Sequence, residues 1–207
     1  MDSTSILTMQ ELLKCGTNIP LWHYDTDGHL LDTNSEYLVL DKVLGFIGGT
    51  QYMLEYAKSS YKPLVLGSDM GLMWCAVFEA EKDNLKSIYL IGPVYNAEVS
   101  VSFLEDSAER YHIDSTFRRQ YVAIMKEISV VPSLMFQQYC LMLHYCVNGE
   151  KLNRSDIQFQ PRNKVVNPLP VETDVPAYDR SQNYLSEQML LQLLKLIQNL
   201  KLFTTKL

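Results

Sequence analysis

The run Leu72-Met73-Trp74-Cys75-Ala76-Val77-Phe78 constrains this chain more than any other feature. It is apolar almost without pause and sits between the turn Gly67-Ser68-Asp69 and the polar stretch Glu79 to Leu85. It is far shorter than the roughly 18 residues a membrane span needs. Such a run suits a central strand covered on both faces, so helices or loops must supply two apolar layers. The 207-residue chain has 47% apolar and 20% charged residues, enough for one ordinary core plus an appendage.

The elements around this run read in order. Ile6 to Cys15 carries apolar residues at the spacing of one helix face, with Gly16 placed to end the helix. Leu21-Trp22-His23-Tyr24-Asp25 and Leu30-Leu31-Asp32-Thr33-Asn34 flank Asp27-Gly28, which predicts strand, tight turn, strand. Ser35 to Tyr61 reads as helix, broken at Gly48-Gly49. Lys62 to Leu66, Met70 to Ala80 and Ser87 to Val94 read as three further strands, the last stopped by Gly92-Pro93. Sequential strands joined by short turns must run antiparallel.

The second half reads as helical. Helices are predicted over Ser102–Tyr111 and Ser115–Ile128, and a third from Pro132 to Asn148-Gly149. That third helix is apolar nearly all round, which predicts burial. Asn153 to Asn183 holds four prolines and no clear period, as expected of an extended linker. From Tyr184 to Phe203 the residues Leu185, Met189, Leu193, Leu196, Leu200 and Phe203 recur in a heptad-like seam. The seam could pack on another chain or back on its own domain. Leu185, Met189, Leu193, Leu196 and Leu200 are the candidate dimerisation residues.

The expected fold is therefore α+β. It has an antiparallel sheet of five or six strands flanked by helices, then a linker and a C-terminal amphipathic helix. The expected domains are a sensor-like unit over 1–152, a linker over 153–183 and the helix over 184–207. The strand, strand, helices, three-strand order is similar to that of PAS and GAF sensor folds.

Charge and motif content narrow the function. Net charge is −6, and the densest basic spot, Arg118-Arg119, shares its segment with Glu105, Asp106 and Glu109. Duplex binding needs clustered cations, so direct nucleic-acid binding is disfavoured. The N-terminus has no basic region ahead of an apolar stretch, so a cytoplasmic location is expected. Cys15, Cys75, Cys140 and Cys146 have no CxxC spacing and lie among apolar neighbours, so reduced buried thiols are expected. Cys140 and His144 share a helix face, but two ligands do not close a zinc site, and a buried His144 bonded to backbone is expected. His23, Asp25 and Asp27 fall on one side of the predicted hairpin, where a solvated face is expected. Glu79 and Glu81 read as a charged turn. No nucleophile elbow, metalloprotease motif or phosphate loop is present in the sequence, so no enzyme, metal or cofactor is expected.

What remains is the aromatic wealth of the strands. Trp22, Tyr24, Trp74 and Tyr89 are the candidate ligand-binding residues, because aromatic concavities with few polar groups suit small molecules. Core packing accounts for aromatic residues equally well.

Four stretches carry a resemblance. They are Leu21-Trp22-His23-Tyr24-Asp25 with Asp27-Gly28, then Gly71-Leu72-Met73-Trp74-Cys75-Ala76, then Ile88-Tyr89-Leu90-Ile91-Gly92-Pro93-Val94, then Phe136 to Cys146. Together, over roughly 15–195, the chain resembles the N-terminal half of AraC-type transcription regulators from anaerobic Firmicutes. The resemblance implies a PAS/GAF-like sensory region, a small-molecule effector, a connecting helix and a homodimer. In that family a pair of helix-turn-helix motifs follows, yet no recognition helix is readable after Leu196. The expectation is thus a signal-sensing, dimerising domain without its DNA-binding part, either a fragment or a natural truncated product. The alternative is a stand-alone interaction module that pairs with a full-length regulator.

Overall fold

The computed structural model describes residues 3–31, 44–45, 48–68, 70–82, 84–110 and 115–160. The chain divides into two compact units, Met1–Glu98 with Ile128–Asn167, and Val99–Glu127 with Pro168–Leu207.

The first unit opens with α1 (Ser3–Thr17), whose Met9 and Leu13 are buried at helical spacing. The helix outruns Gly16; Asn18 takes the positive φ of 51° beyond its end. β1 (Leu21–Tyr24) follows and turns through Gly28, φ 86°. On the returning side Leu30 bridges to Tyr24, with the Leu31 amide donating to the His23 carbonyl at 2.7 Å, and the rest of the predicted strand, 32–34, lies outside the described residues. α2 (Gly49–Ala57) begins where Gly48 sits in the left-handed region, at the predicted break. β2 (Leu64–Gly67), β3 (Leu72–Glu81) and β4 (Asn84–Tyr95) form a meander. β4 continues past Gly92, whose φ of 113° and closeness to β3 leave no room for a side chain.

The sheet order is β1-β4-β3-β2-β5, with β5 at Gln158–Phe159. β1, β2, β3 and β4 pair antiparallel, as short turns require. β5 pairs parallel with β2, so the sheet is mixed rather than antiparallel throughout. The cause is the connection. β2, β3 and β4 alternate in direction, so β4 runs with β2, and the long connection from β4 to β5, which includes the helix α5 (Ser133–Asn148), returns β5 in that same direction. Ordered structure, including a 3-10 turn at Arg154–Asp156, therefore runs past residue 153, where the linker is expected to begin. Residues 161–183 and the predicted helix over 184–207 lie outside the described residues.

Cross-strand partners share a face, so the register sorts the core into two layers. Trp22, Leu90, Ala76 and Leu64 form one row; Tyr24, Ile88 and Phe78 form the next; Leu66 pairs with Trp74. All are buried. α2 lies on this side, with the Tyr56 ring 5.5 Å from that of Phe78. The opposite face carries Val65, Cys75, Val77, Tyr89, Ile91 and Val94, which cluster with Met9 and Leu13 of α1 and Phe136, Cys140, Leu143 and Val147 of α5. The sequence expectation that the 72–78 run is covered on both faces is met by these two layers.

α5 departs from its expectation. It is buried along one side only, through Phe136, Cys140, Leu143, His144 and Val147. It is an outer layer with one sheet face to cover, so its other side stays exposed.

In the second unit, α3 (Val101–Arg110) and α4 (Ser115–Lys126) are joined by a hydrogen bond between the hydroxyls of Ser107 and Tyr121, 2.7 Å. The Ser100 hydroxyl accepts from the Phe103 amide at the start of α3. Among the described residues no helix is long and apolar enough to cross a membrane.

Candidate functional site: an aromatic sheet face

Three of the four predicted ligand-binding residues come together. Trp22 and Tyr24 alternate along β1, and Trp74 on β3 falls on the same side of the sheet. Tyr89 does not join them. It pairs with His23 and Val77, which places it on the opposite face. There its ring stacks on that of His23, centroids 4.3 Å apart and planes within 5°. The reason is the period of two in a strand: Tyr89 sits between Ile88 and Leu90, which belong to the Trp22 face.

The polar handle of the aromatic face is used internally. The Trp22 indole N–H donates to the Gly92 carbonyl at 2.7 Å. The face is therefore built of ring and aliphatic surface, with Phe78 and Leu66 completing it, and every one of these side chains is buried beneath its neighbours. Phe78 was visible in the sequence as a neighbour of Trp74 in strand alternation. The contribution of Leu66 follows only from the β2–β3 register.

The hairpin tip regroups the acidic candidates. Asp25, Asp27 and His29 present ligand atoms all within 4.8 Å of one another, while His23 lies with Tyr89. Asp25 is already committed. One carboxylate oxygen accepts from the amides of Asp27 and His29 at 2.9 and 2.8 Å, and the other meets His29 Nδ1 at 3.1 Å. The His29 amide, followed by the His29 side chain and the Asp27 amide, holds the Asp25 carboxyl below its ordinary range. This is a turn-forming carboxylate.

The Cys140 and His144 pair also resolves. Cys140 is buried beside Cys75, and burial pushes its thiol well above the ordinary range. Cys146 is half-buried and Cys15 is exposed, so the expectation of burial holds for Cys75 and Cys140. All four thiols are free. His144 is buried, and its partner is a side chain rather than backbone. The Asn148 amide donates to the Phe78 carbonyl at 3.0 Å and lies 3.2 Å from His144 Nδ1. His144 Nε2 lies 3.6 Å from the exposed Glu150 carboxylate. Burial lowers the His144 pKa below 6.5, opposed by Glu150 and then Asp156.

Glu79 and Glu81 have separate partners: Glu79 accepts from the Ser87 hydroxyl at 2.6 Å, and Glu81 pairs with Lys86. They do not share a site. The tail residues Leu185, Met189, Leu193, Leu196 and Leu200 lie outside the described residues. The chain matches no family model, no curated protein and no solved structure.

Proposed function

We propose that this chain is a signal-sensing, dimerising domain of an AraC-type transcription regulator, acting in the cytoplasm without enzymatic activity. Its effector is a small molecule with a substantial apolar face. The observation that carries this reading is the gathering of Trp22, Tyr24 and Trp74 on one sheet face toward α2. The element order gives further support. The described strand and tight turn, helix, and three-strand meander whose last strand docks on the first match part of the strand, strand, helices, three-strand order expected of a PAS/GAF-like sensor. The spent indole N–H of Trp22 favours recognition by ring stacking over hydrogen bonding at that position.

A thermal-shift screen of the full chain against sugars, amino acids and short peptides tests this. A true effector at 100 times its Kd stabilises the fold by about 2.7 kcal/mol. Binding should quench tryptophan emission and weaken in Trp74→Phe, while Tyr89→Phe on the other face leaves affinity unchanged. A ligand whose affinity ignores Trp22→Phe and Trp74→Phe, but responds to Tyr89→Phe, would move the site to the other face.

A further inference from the structure

We propose that His144 and Asn148 form a proton-operated latch at the end of α5. A proton gained by the His144 ring releases Asn148 from β3 and passes the hold to Glu150, in the segment leading to β5. The inference goes beyond the effector reading and does not depend on it.

The hydrogen bonds fix the resting state. β2 pairs with β3 only as far as Ala76, and the Asn148 side-chain amide takes the Phe78 carbonyl two residues further on, at 3.0 Å. A backbone carbonyl only accepts, so the atom facing it is the amide nitrogen. That same nitrogen lies 3.2 Å from His144 Nδ1. An amide nitrogen donates and does not accept, so Nδ1 must present its lone pair. The resting ring is therefore neutral, with its proton on Nε2. The Nε2–H faces the exposed Glu150 carboxylate at 3.6 Å, too far for a hydrogen bond.

His144 is only 4% exposed, so few groups act on it. Glu150 and then Asp156 of the 3-10 turn favour the charged ring, and Asp156 is itself paired with Lys62 at 2.8 Å. β3 offers the Phe78 carbonyl through Asn148, and the neighbouring Glu79 is turned to Ser87. α1 packs on this layer through Met9 and Leu13, while its Glu11, Lys14 and Cys15 are exposed. Cys140, one turn back on α5, is a buried thiol.

A proton taken from solvent goes to Nδ1. Both ring nitrogens then donate, and Nδ1–H meets the N–H of Asn148. The amide relieves this by turning its oxygen to the ring. That sets the oxygen against the Phe78 carbonyl and ends the tie to β3. At Nε2 the change runs the other way, because a charged ring strengthens the pull on the Glu150 carboxylate. One proton thus trades a hold on the sheet for a hold on the chain between α5 and β5. Burial opposes charging, so the exchange takes place below the ordinary 6.5.

Nitrogen NMR of the isotope-labelled full chain tests the latch without any variant. At about pH 8, above the ordinary histidine range, the ring should show its proton on Nε2. As His144 titrates, exchange protection of the Asn148 side-chain amide should fall about 10-fold or more with the same midpoint. The Val77 backbone amide, in the middle of the sheet, should stay protected, which separates release from unfolding. Asn148→Asp, which puts a carboxylate beside Nδ1, should raise the midpoint, and Glu150→Gln should lower it. A resting ring with its proton on Nδ1 would overturn the proposal. So would Asn148 protection that ignores the His144 titration, loss of Val77 protection at the same midpoint, or a midpoint unmoved by Asn148→Asp. Those results would leave the effector reading untouched, just as a failed ligand screen would leave this one.

Discussion

β3 and α5 are both apolar along most of their length, and the fold treats them oppositely. The 72–78 run lies at the middle of the sheet with both faces filled. The 134–146 run covers the sheet with one side and shows the other to solvent. A central strand has two apolar faces to satisfy, and a helix in an outer layer has one. Apolar content beyond what the position needs is therefore the informative part, and α5 has it while β3 does not.

The comparison can be broken by substitution. Trp74→Ala opens a cavity in a fully enclosed layer and should cost about 3–5 kcal/mol in urea unfolding. A loss below 1 kcal/mol would mean that the aromatic face is not closed. Gly92→Ala should cost about 1–3 kcal/mol, because a Cβ there would lie 2.7 Å from the Met73 carbonyl oxygen at a φ of 113°. Its effect should appear as a lower thermal midpoint.

Asn148→Ala removes the amide that links the end of α5 to the Phe78 carbonyl and should cost about 1–2 kcal/mol. His144 adds a pH dependence at the same place. Its folded pKa lies below the ordinary 6.5, so the unfolded chain takes the proton first. Stability from this group is full above pH 6.5 and falls as the pH drops below it. The carboxylates of Asp25, Glu81 and Asp156, held low by their partners, lose stability only in more acidic solution. His144→Gln should remove the fall in stability that sets in below pH 6.5 without touching the acid limb.

The smallest effect belongs to the exposed side of α5. Met142→Ser should change stability by less than about 0.5 kcal/mol. A loss approaching that of Trp74→Ala would mean that α5 is enclosed within its own chain.

Much of the meander was legible because its punctuation is local. Gly28 and Gly48 take positive φ at a predicted turn and a predicted break, while Gly71, read as strand, belongs to the turn ahead of Leu72; the strand alternation that puts Trp22 and Tyr24 together is a two-residue rule. The same rule, applied across strands, needed the register, which no sequence period supplies. That is why Tyr89 was grouped with residues on the other face. β5 was illegible for another reason: Gln158-Phe159 is too short to show a period and is defined by backbone bonds to Pro63 and Val65 far away in sequence. The exposed stripe of α5 was hidden because uniform apolarity cannot say how many sides a fold will cover.

Methionine oxidation by peroxide, read by mass spectrometry across a dilution series, tests the central contrast most directly. Met9 and Met53, enclosed on opposite sides of the sheet, should resist oxidation at every concentration. Met135 and Met142, on the exposed side of α5, should oxidise rapidly. Rapid oxidation of Met53 in dilute native protein, or protection of Met142 at all dilutions, would contradict the account.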